Sequence, residues 1–388
     1  MSYTIKTLNN ISEKGLSLLP EAHYNISEEA DNPDAILLRS YKMHDMEIPK
    51  SLLAVGRAGA GTNNIPIDRM SDQGVVVFNA PGANANAVKE LVIAGMLMAC
   101  RNLVEANAYV DGLEGDDAAL AKQVEAGKKK FAGFELPGKT LGVVGLGAIG
   151  VRIANKARAL GMNVVGYDPL IQIKYAWQLS ADVQPVDSIE EVLQVSDFIT
   201  FHVPLLESTK DLINAESIKL MPDNAVVLNF ARDGIVNDHD VCAAIDSGKL
   251  HSYVCDFPSN EIKGRKGVIA LPHLGASTQE AEVNCATMVA EQVRDYLQEG
   301  RIKNSVNFPD VKLARKGETR IAMINRNVPD MVGKVSRILG NANVNIHHMV
   351  NDSKGDVAYT LMDVDSKINA DTFGLLSDID GVLRVRLL

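Results

Sequence analysis

The stretch that decides the fold is TLGVVGLGAIG, residues 140–150, followed after a helical segment by NVVGYDP at 163–169. An apolar strand leads into Gly145, Gly147 and Gly150, the G-x-G-x-x-G spacing of a dinucleotide-binding turn. The first glycine makes the tight turn, the second lets backbone N–H groups approach a pyrophosphate, and the third lets the next helix pack closely. The sequence therefore predicts a βαβ unit that binds a dinucleotide.

The acidic residue that such a unit needs is Asp168, at the end of the second strand. Its carboxylate can accept hydrogen bonds from the adenosine ribose hydroxyls, and no Arg or Lys follows immediately to hold a 2′-phosphate. The residues thus favour NAD over NADP. The positive end of the helix dipole, near Ala148 and Ile149, is expected to face the phosphates.

The composition is that of a globular protein with an acidic balance. The chain has 388 residues, of which 46% are hydrophobic and 5% aromatic, and its formal net charge is −10. A chain of this length can form two or three domains, and its negative charge argues against nucleic acid or an anionic membrane as the main partner. The polar N-terminus, and the lack of an apolar run of about 18 residues, predict a cytoplasmic location.

The cysteine spacing predicts no metal site and no disulfide framework. Cys100, Cys242, Cys255 and Cys285 lie far apart in the sequence and form no C-x-x-C pair. We therefore expect four reduced thiols.

The dinucleotide unit does not stand at the N-terminus, because other strand-like segments precede it. Four short apolar segments predict a smaller α/β domain: residues 4–9, 35–40, 52–61 and 75–81. Residues 84–110 then predict one long, largely buried helix, with Asn84 as a plausible N-cap.

Further strands after Asp168 are predicted to complete a doubly wound sheet of about six strands. They lie at residues 198–203, 225–230, 253–257 and 268–271. An amphipathic helix is predicted over 281–299 and a linker over 300–317. The remaining residues have the order βαββαβ, which predicts a ferredoxin-like module.

Three more segments are similar to those of a known family. They are GRAGAGTNNI at 56–65, NFARDGIV at 229–236 and LPHLGASTQEAE at 271–282. Taken alone, each has a structural interpretation: a glycine-rich turn, a surface Arg–Asp pair and a structural His. Together with the dinucleotide unit they recur in family order, and the whole chain resembles the D-2-hydroxyacid dehydrogenases.

The resemblance implies a two-lobed α/β enzyme with a C-terminal ACT domain. A Rossmann NAD-binding domain, 101–284, would be inserted in a flavodoxin-like substrate-binding domain formed by 1–100 and 285–310. The ACT domain, a small regulatory unit of ferredoxin-like fold, would occupy 318–388.

The resemblance also assigns catalytic roles. Arg232 would grip the carboxylate of a 2-hydroxy or 2-oxo acid and polarise its carbonyl. His273 would be the acid–base residue that takes the C2 hydroxyl proton as hydride leaves for NAD. The family pairs this His with a carboxylate, for which we favour Glu261. An alignment shifted by one residue would place Asn260 there instead.

The remaining cofactor contacts come from the same resemblance. Asp256 would lie near the nicotinamide amide. The other expected contacts are Pro204, Phe230, Ala231, Arg232, His273 and Gly275.

Within the family, the members that carry an ACT domain oxidise 3-phospho-D-glycerate to 3-phosphohydroxypyruvate, the first step of phosphorylated serine synthesis. The resemblance therefore favours this substrate. The cations that would hold it are Arg39, Arg57 with the neighbouring Ala58 and Gly59, and Lys128 in the KKK run, although such a run is usually a solvated face.

Two alternatives stay open. Another D-2-hydroxyacid of the lactate, glyoxylate or 2-hydroxyglutarate type could be the substrate. The chain could instead resemble the NAD-sensing binding proteins that reuse this fold without turnover.

The ACT-like module suggests an amino-acid effector. Asn327 and Asn345 resemble the effector-binding asparagines of serine-inhibited members. Asn325 replaces a His of those members, and Asp330 replaces a Gly, so inhibition by serine stays open. The long helix and the ACT sheet suggest pairing surfaces, so a homo-oligomer, dimer or tetramer, is expected.

Overall fold

The computed structural model describes residues 2–388, which fold into two compact units. The first unit comprises Met1–Asn84 with Gln279–Leu388, and the second comprises Ala85–Thr278. The second unit thus begins and ends earlier than the predicted range 101–284. The reason is that the helix after Asn84 packs its buried face on the strands of this unit.

The first unit begins with a five-stranded sheet. Its elements are β1 (Tyr3–Leu8), α1 (Glu13–Leu16), β2 (Tyr24–Ser27), β3 (Ala35–Leu38), β4 (Ala54–Arg57), α2 (Ile67–Asp72) and β5 (Val76–Phe78). The strands are parallel, in the order β2-β1-β3-β4-β5. All four residues of β3 are buried, as expected for a strand covered on both faces. This order confirms the flavodoxin-like architecture.

The second unit is a Rossmann fold. Its elements are α3 (Ala85–Cys100), α4 (Leu103–Asp111), α5 (Asp117–Gly127), a 3-10 turn (Lys128–Phe131), β6 (Thr140–Val144), α6 (Gly150–Ala159), β7 (Asn163–Tyr167), α7 (Ile173–Ala176), β8 (Gln184–Pro185), α8 (Ile189–Val195), β9 (Phe198–Phe201), α9 (Ala215–Leu220), β10 (Ala225–Asn229), α10 (Asp238–Asp246), β11 (Leu250–Cys255) and β12 (Val268–Ala270). The strand order β12-β11-β10-β9-β6-β7-β8 is doubly wound about β6. It confirms the predicted class with one short edge strand more than expected.

The predicted single helix over 84–110 is wrong at two points. Asn102 has a left-handed backbone, φ +50°, which separates α3 from α4. Glycine and asparagine tolerate such a backbone best. The prediction of one helix relied on the absence of a Gly or Pro cluster, so it did not show a break at an asparagine. Asn84 does not act as a cap, because its buried Oδ1 accepts no hydrogen bond within the described residues 2–388.

The chain returns to the first unit through a long helix and ends in a four-stranded sheet. The elements are α11 (Gln279–Glu299), β13 (Thr319–Arg326), α12 (Met331–Asn341), β14 (Ile346–Lys354), β15 (Val357–Val364), α13 (Ala370–Ser377) and β16 (Val382–Leu387). The antiparallel order β14-β15-β13-β16 with the sequence βαββαβ confirms the ferredoxin-like fold of the C-terminal module, β13 to β16.

The C-terminal module shares a hydrophobic core with the five-stranded domain. Tyr359 and Leu361 of β15 belong to the same buried cluster as Phe78 and Tyr296. The Tyr359 hydroxyl donates to the carbonyl oxygen of Gly300 at 2.6 Å. The module is therefore docked through its sheet, while its two helices cover the opposite face.

A buried ion pair reinforces this docking. Arg320, fully buried, donates from Nε and Nη2 to the two carboxylate oxygens of Asp363 at 2.7 and 2.8 Å. It also donates to the carbonyl of Glu299 at the end of α11, at 3.0 Å. Burial would raise the pKa of Asp363, but hydrogen bonds from Arg320 and from the Lys316 N–H lower the pKa below its usual value.

The segment predicted as a linker, 300–317, is folded against the first unit. The Asn307 amide accepts from the Val77 N–H and donates to the Val75 carbonyl, both at 2.9 Å. Phe308 next to it is fully buried. Because these anchors are single side chains without periodicity, the sequence pattern did not show them. In residues 2–388, no helix combines the length and apolarity needed to cross a membrane.

Candidate active site

The glycine-rich turn after β6 is built so that two of its glycines cannot be replaced. Gly145 has φ +93°, and a Cβ there would lie 2.6 Å from the His202 carbonyl oxygen. A Cβ on Gly150 would lie 1.9 Å from the Gly145 carbonyl oxygen. A Cβ on Gly147 would meet nothing within 4 Å. Gly147 therefore leaves an open approach to the backbone, as a bound pyrophosphate requires.

Asp168 lies immediately after β7, beside this turn. One carboxylate oxygen accepts from the Leu146 N–H at 2.8 Å and the other from the Leu170 N–H at 2.9 Å. Each carboxylate oxygen has two lone pairs, so both can still accept from ribose hydroxyls. Ala148 and Ile149 directly precede α6, at the positive end of its dipole. The residues of this turn thus fit a dinucleotide.

His202 follows β9 next to the turn and was not singled out from the sequence. Its Nε2 lies 2.9 Å from the Thr200 hydroxyl. Burial lowers its pKa to about 3, so the ring is neutral at physiological pH. The only sequence signal for it was its place after an apolar strand, followed by Val203 and Pro204.

The end of β10 shapes the loop that carries Arg232. Asn229, nearly fully buried, accepts from the Ala231 N–H at 3.2 Å and donates to the Arg232 carbonyl at 2.9 Å. Phe230 and Ala231 are buried in this turn. The Arg232 side chain is exposed, and its Nη1 donates to the Ala231 carbonyl at 2.6 Å. The guanidinium therefore lies at the carboxyl edge of the sheet, available to an anionic ligand.

Asp256 ties the next strand end to the loop of His273. Its buried carboxylate accepts from the consecutive N–H groups of Leu274 and Gly275 at 2.7 and 2.8 Å. His273 itself has a left-handed backbone, φ +55°, and is exposed. Its ring packs edge-on against Phe257, with centroids 5.1 Å apart. The two backbone bonds to Asp256 thus fix the strained turn that presents the imidazole.

Glu261 does not pair with His273. Its Oε1 lies 2.9 Å from Nδ1 of His239, at the start of α10. Among the described residues 2–388, no carboxylate is hydrogen-bonded to the His273 ring. The structure therefore corrects the expectation that Glu261 pairs with His273. The reason is the path of the loop over 257–264, which contacts the start of α10: Glu261 lies on His239, and Ser259 donates to Asp238.

The predicted substrate cations divide between the two units. In the first unit, Arg39 follows β3 and Arg57 ends β4, and the Arg57 Nε donates to the Arg39 carbonyl at 3.1 Å. Ala58 and Gly59 follow, and the Gly59 Cα faces the Arg57 guanidinium so closely that a Cβ would lie 2.7 Å from Nη1. In the second unit, Lys128 forms an exposed ion pair with Glu125 at 2.5 Å.

One partner in the first unit was missed. Arg39 Nη1 lies 2.6 Å from Oε1 of Glu282, in the first turn of α11. The two residues are far apart in the sequence, so no local pattern could have connected them.

The two predicted effector residues lie at opposite ends of the module sheet. Asn327 follows β13 and donates to the Gly355 carbonyl at 3.1 Å, just before β15 begins. Asn345 precedes β14, and its N–H donates to Asp365, just after β15 ends. The eight residues of β15 span about 26 Å. One chain therefore does not bring the two asparagines together.

Asp330, whose place in a usual glycine position raised doubt, is accommodated by its neighbours. It has φ +65°, and its carboxylate pairs with Arg337 at 2.6 Å. Gly333 leaves room for it, because a Cβ there would lie 2.2 Å from Oδ1 of Asp330. The carboxylate is therefore neutralised within the turn.

Comparisons with known proteins agree with this geometry. Residues 93–275 match the family described as D-isomer specific 2-hydroxyacid dehydrogenase, NAD binding domain. A D-3-phosphoglycerate dehydrogenase of Haemophilus influenzae is 33% identical, over 88% of this chain and 83% of that protein. One of Escherichia coli is 31% identical, over 87% and 82%. One of Methanocaldococcus jannaschii is 35% identical over 79% of this chain, but the chain spans only 57% of its length.

Solved structures show the same fold. The NAD⁺-bound 3-phosphoglycerate dehydrogenase of Entamoeba histolytica is 26% identical with a TM-score of 0.62, over 79% of this chain and 99% of that one. The holo D-mandelate dehydrogenase of Rhodotorula graminis is 23% identical with a TM-score of 0.69, over 81% and 99%. At that identity the second likeness supports the fold alone. The matched NAD-binding domain makes NAD the cofactor.

Proposed function

This chain belongs to the family of D-isomer specific 2-hydroxyacid dehydrogenases, and we propose that it oxidises 3-phospho-D-glycerate to 3-phosphohydroxypyruvate with NAD. The observation that carries the proposal is the carboxyl edge of the Rossmann sheet. There the loops of Arg232 and His273 follow β10 and β12, the strands on either side of β11, in the unit that also carries the dinucleotide turn. The substrate is inferred from the names of the relatives.

When bound, NAD supplies the hydride acceptor for oxidation of the C2 alcohol. The protein residues bind the acid and move the proton. The Arg232 guanidinium can hold the substrate carboxylate in two parallel hydrogen bonds and stabilise negative charge that develops on the C2 oxygen. A neutral His273 imidazole accepts the C2 hydroxyl proton, and the imidazolium returns it in the reverse direction.

Asp256 is a positioning residue in this scheme. By accepting the N–H groups of Leu274 and Gly275, it holds the left-handed turn at His273. No step is assigned to Glu261, since its carboxylate contacts His239.

The test is NADH formation at alkaline pH with 3-phosphoglycerate, run beside D-lactate, D-glycerate and D-2-hydroxyglutarate. The proposal predicts the highest kcat/KM for the phosphorylated acid. Activity only with unphosphorylated acids would overturn the substrate and keep the His–Arg chemistry. No turnover of any 2-hydroxyacid would overturn the enzymatic function and favour the NAD-sensing alternative.

We also infer that an amino-acid effector binds across two copies of the C-terminal module. Because Asn327 and Asn345 lie at opposite ends of one sheet, two copies are needed to bring them together. Serine is the effector to test, by titration of the activity together with light scattering of the full chain. Unchanged activity at millimolar serine would remove serine as the effector, and a monomeric protein would remove the shared site.

The homo-oligomeric state and the cytoplasmic location stay predictions.

A further inference from the structure

A chain of hydrogen bonds in the second unit connects the loop of Arg232 with the loop of His273. The two loops follow β10 and β12, and β11 lies between these strands. The connection therefore passes through the end of β11. It is made by Asn229, the last residue of β10, and by Asp256, the residue that follows β11. We call it the Asn229–Asp256 link.

The side chain of Asn229 uses both of its polar ends within the Arg232 loop. Its Oδ1 accepts from the Ala231 N–H at 3.2 Å, and its Nδ2 donates to the Arg232 carbonyl at 2.9 Å. Because Asn229 is only 1% exposed, water cannot replace either bond unless the turn opens. The side chain therefore fixes the backbone from which the guanidinium projects.

The backbone of Asn229 continues the chain of bonds towards His273. The Asn229 carbonyl accepts from the Asp256 N–H at 3.2 Å. The buried Asp256 carboxylate in turn accepts from the N–H groups of Leu274 and Gly275, the two residues after His273. The Asn229 carbonyl belongs to a peptide unit of the turn that the Asn229 side chain closes. A change of that side chain therefore also reaches Asp256.

We propose that Asn229 is a positioning residue for the oxidation: through the Asn229–Asp256 link it fixes Arg232 relative to His273. The proposal rests on the proposed function, in which Arg232 holds the substrate carboxylate while His273 takes the C2 hydroxyl proton. In a 2-hydroxyacid the carboxylate carbon is bonded directly to C2, so the guanidinium and the imidazole must keep a fixed separation. A misplacement of about 1 Å at such a site can cost about 10²-fold in rate.

Two variants remove the side-chain bonds of Asn229 in steps. Asn229→Ala removes both bonds, so kcat/KM for 3-phosphoglycerate should fall by about 10- to 100-fold, through a higher KM and a lower kcat together. The NAD dissociation constant should change by less than about threefold. Asn229→Ser keeps an acceptor for the Ala231 N–H, but its hydroxyl is too short to reach the Arg232 carbonyl. It should recover part of the loss.

The chain offers a matched control in Asn214, at the start of α9 in the same unit. Its Oδ1 accepts from the N–H groups of Glu216 and Ser217 at 2.9 and 3.1 Å, and its Nδ2 donates to the Asp211 carbonyl at 2.8 Å. Asn214→Ala therefore removes the same kinds of bond at a helix start that carries no candidate site residue. Its kcat and KM should equal those of the wild type. Equal losses in Asn214→Ala and Asn229→Ala, or unchanged kcat/KM in Asn229→Ala, would overturn the proposal.

A double-mutant cycle tests whether Asn229 acts through Asp256. Asp256→Asn keeps the shape of the side chain, but its NH2 group accepts no hydrogen bond, so one of the two bonds to the His273 turn is lost. If both residues belong to one link, the combined loss of kcat/KM in Asn229→Ala with Asp256→Asn should be smaller than the product of the single losses, by about twofold or more. Single losses that simply multiply would show that Asn229 acts on Arg232 alone, and the link would be wrong.

Hydrogen exchange gives a readout that needs no turnover. In the whole chain with NAD bound, Asn229→Ala should speed the exchange of the amides in residues 271–278 by about two- to tenfold, although the substitution lies in another loop. Asn214→Ala should leave that exchange unchanged. If the wild type oxidises no 2-hydroxyacid and the exchange still rises in Asn229→Ala, only the proposed function fails. If the wild type oxidises 3-phosphoglycerate and the exchange stays unchanged, only the positioning role of Asn229 fails.

Discussion

The dinucleotide turn of the second unit and the Arg39–Glu282 ion pair of the first unit are held together in different ways. The turn depends on backbone geometry: Gly145 and Gly150 allow close approaches, and Asp168 accepts a backbone N–H from the turn. The Arg39–Glu282 pair depends on contact between side chains far apart in the sequence. A cofactor site of the first kind is encoded locally, whereas an ion pair of the second kind exists only once the chain has folded.

The largest expected effect lies at the carboxyl edge of the second unit, in the proton transfer. Replacing His273 by Asn should lower kcat by about 10²- to 10⁴-fold, because no other group takes the C2 hydroxyl proton. The NAD dissociation constant, measured by fluorescence titration, should change far less. Unchanged turnover would remove His273 from the mechanism.

The same assay tests whether Glu261 contacts His239 instead of orienting His273. Because Glu261 contacts His239, Glu261→Gln should lower kcat by less than about threefold. A fall as large as that of His273→Asn would show that Glu261 pairs with His273 during turnover, and the correction would then be wrong.

The next largest effect is expected in the dinucleotide turn, where two glycine variants test whether close backbone contacts hold the turn. Gly150→Ala would place a Cβ 1.9 Å from a backbone carbonyl oxygen, so we expect a loss of about 3 kcal/mol in the free energy of unfolding. Gly147→Ala, which meets open space, should leave the free energy of unfolding nearly unchanged. Denaturant unfolding of both variants makes the comparison. Equal stability would show that the turn tolerates a side chain at Gly150.

A smaller effect depends on pH. Burial lowers the pKa of His202 to about 3, so its neutral form stabilises the fold above pH 6.5. That contribution is lost as the pH falls towards 3, because the unfolded chain binds the proton first. At pH 5 the loss should be about 2 kcal/mol. In His202→Gln this part of the acid sensitivity should disappear, while the exposed His239→Gln should keep it. Identical urea midpoints against pH in all three proteins would contradict this.

The residues themselves predicted the doubly wound sheet, the order of the C-terminal module and the position of the dinucleotide turn, because each rests on a periodic apolar pattern or on fixed glycine spacing. Gly145, Gly150 and Asp168 are as expected for this reason. Such features need only neighbouring residues. They therefore follow from the sequence without knowledge of the fold. The flavodoxin-like topology of the first sheet was implied by the family resemblance.

The remaining features depend on contacts between distant residues. Asn102 breaks a helix by its backbone conformation alone, and Asn307 anchors the supposed linker through hydrogen bonds to β5. The partner of His273 could not be chosen from the sequence, since a shift of one residue in the loop exchanges Glu261 for Asn260, and Glu261 in the structure contacts His239. Glu282 was missed because its partner Arg39 comes from another strand.

The most direct test of the account compares kcat/KM for 3-phosphoglycerate and D-glycerate in the wild type and in Arg39→Gln. The two acids differ only in the phosphate, so their ratio measures how strongly the phosphate is recognised. We predict a strong preference for the phosphorylated acid in the wild type, falling by about tenfold or more in Arg39→Gln while turnover of D-glycerate is retained. A ratio that does not change would contradict the prediction that Arg39 recognises the phosphate. A wild type without preference would contradict the proposed substrate.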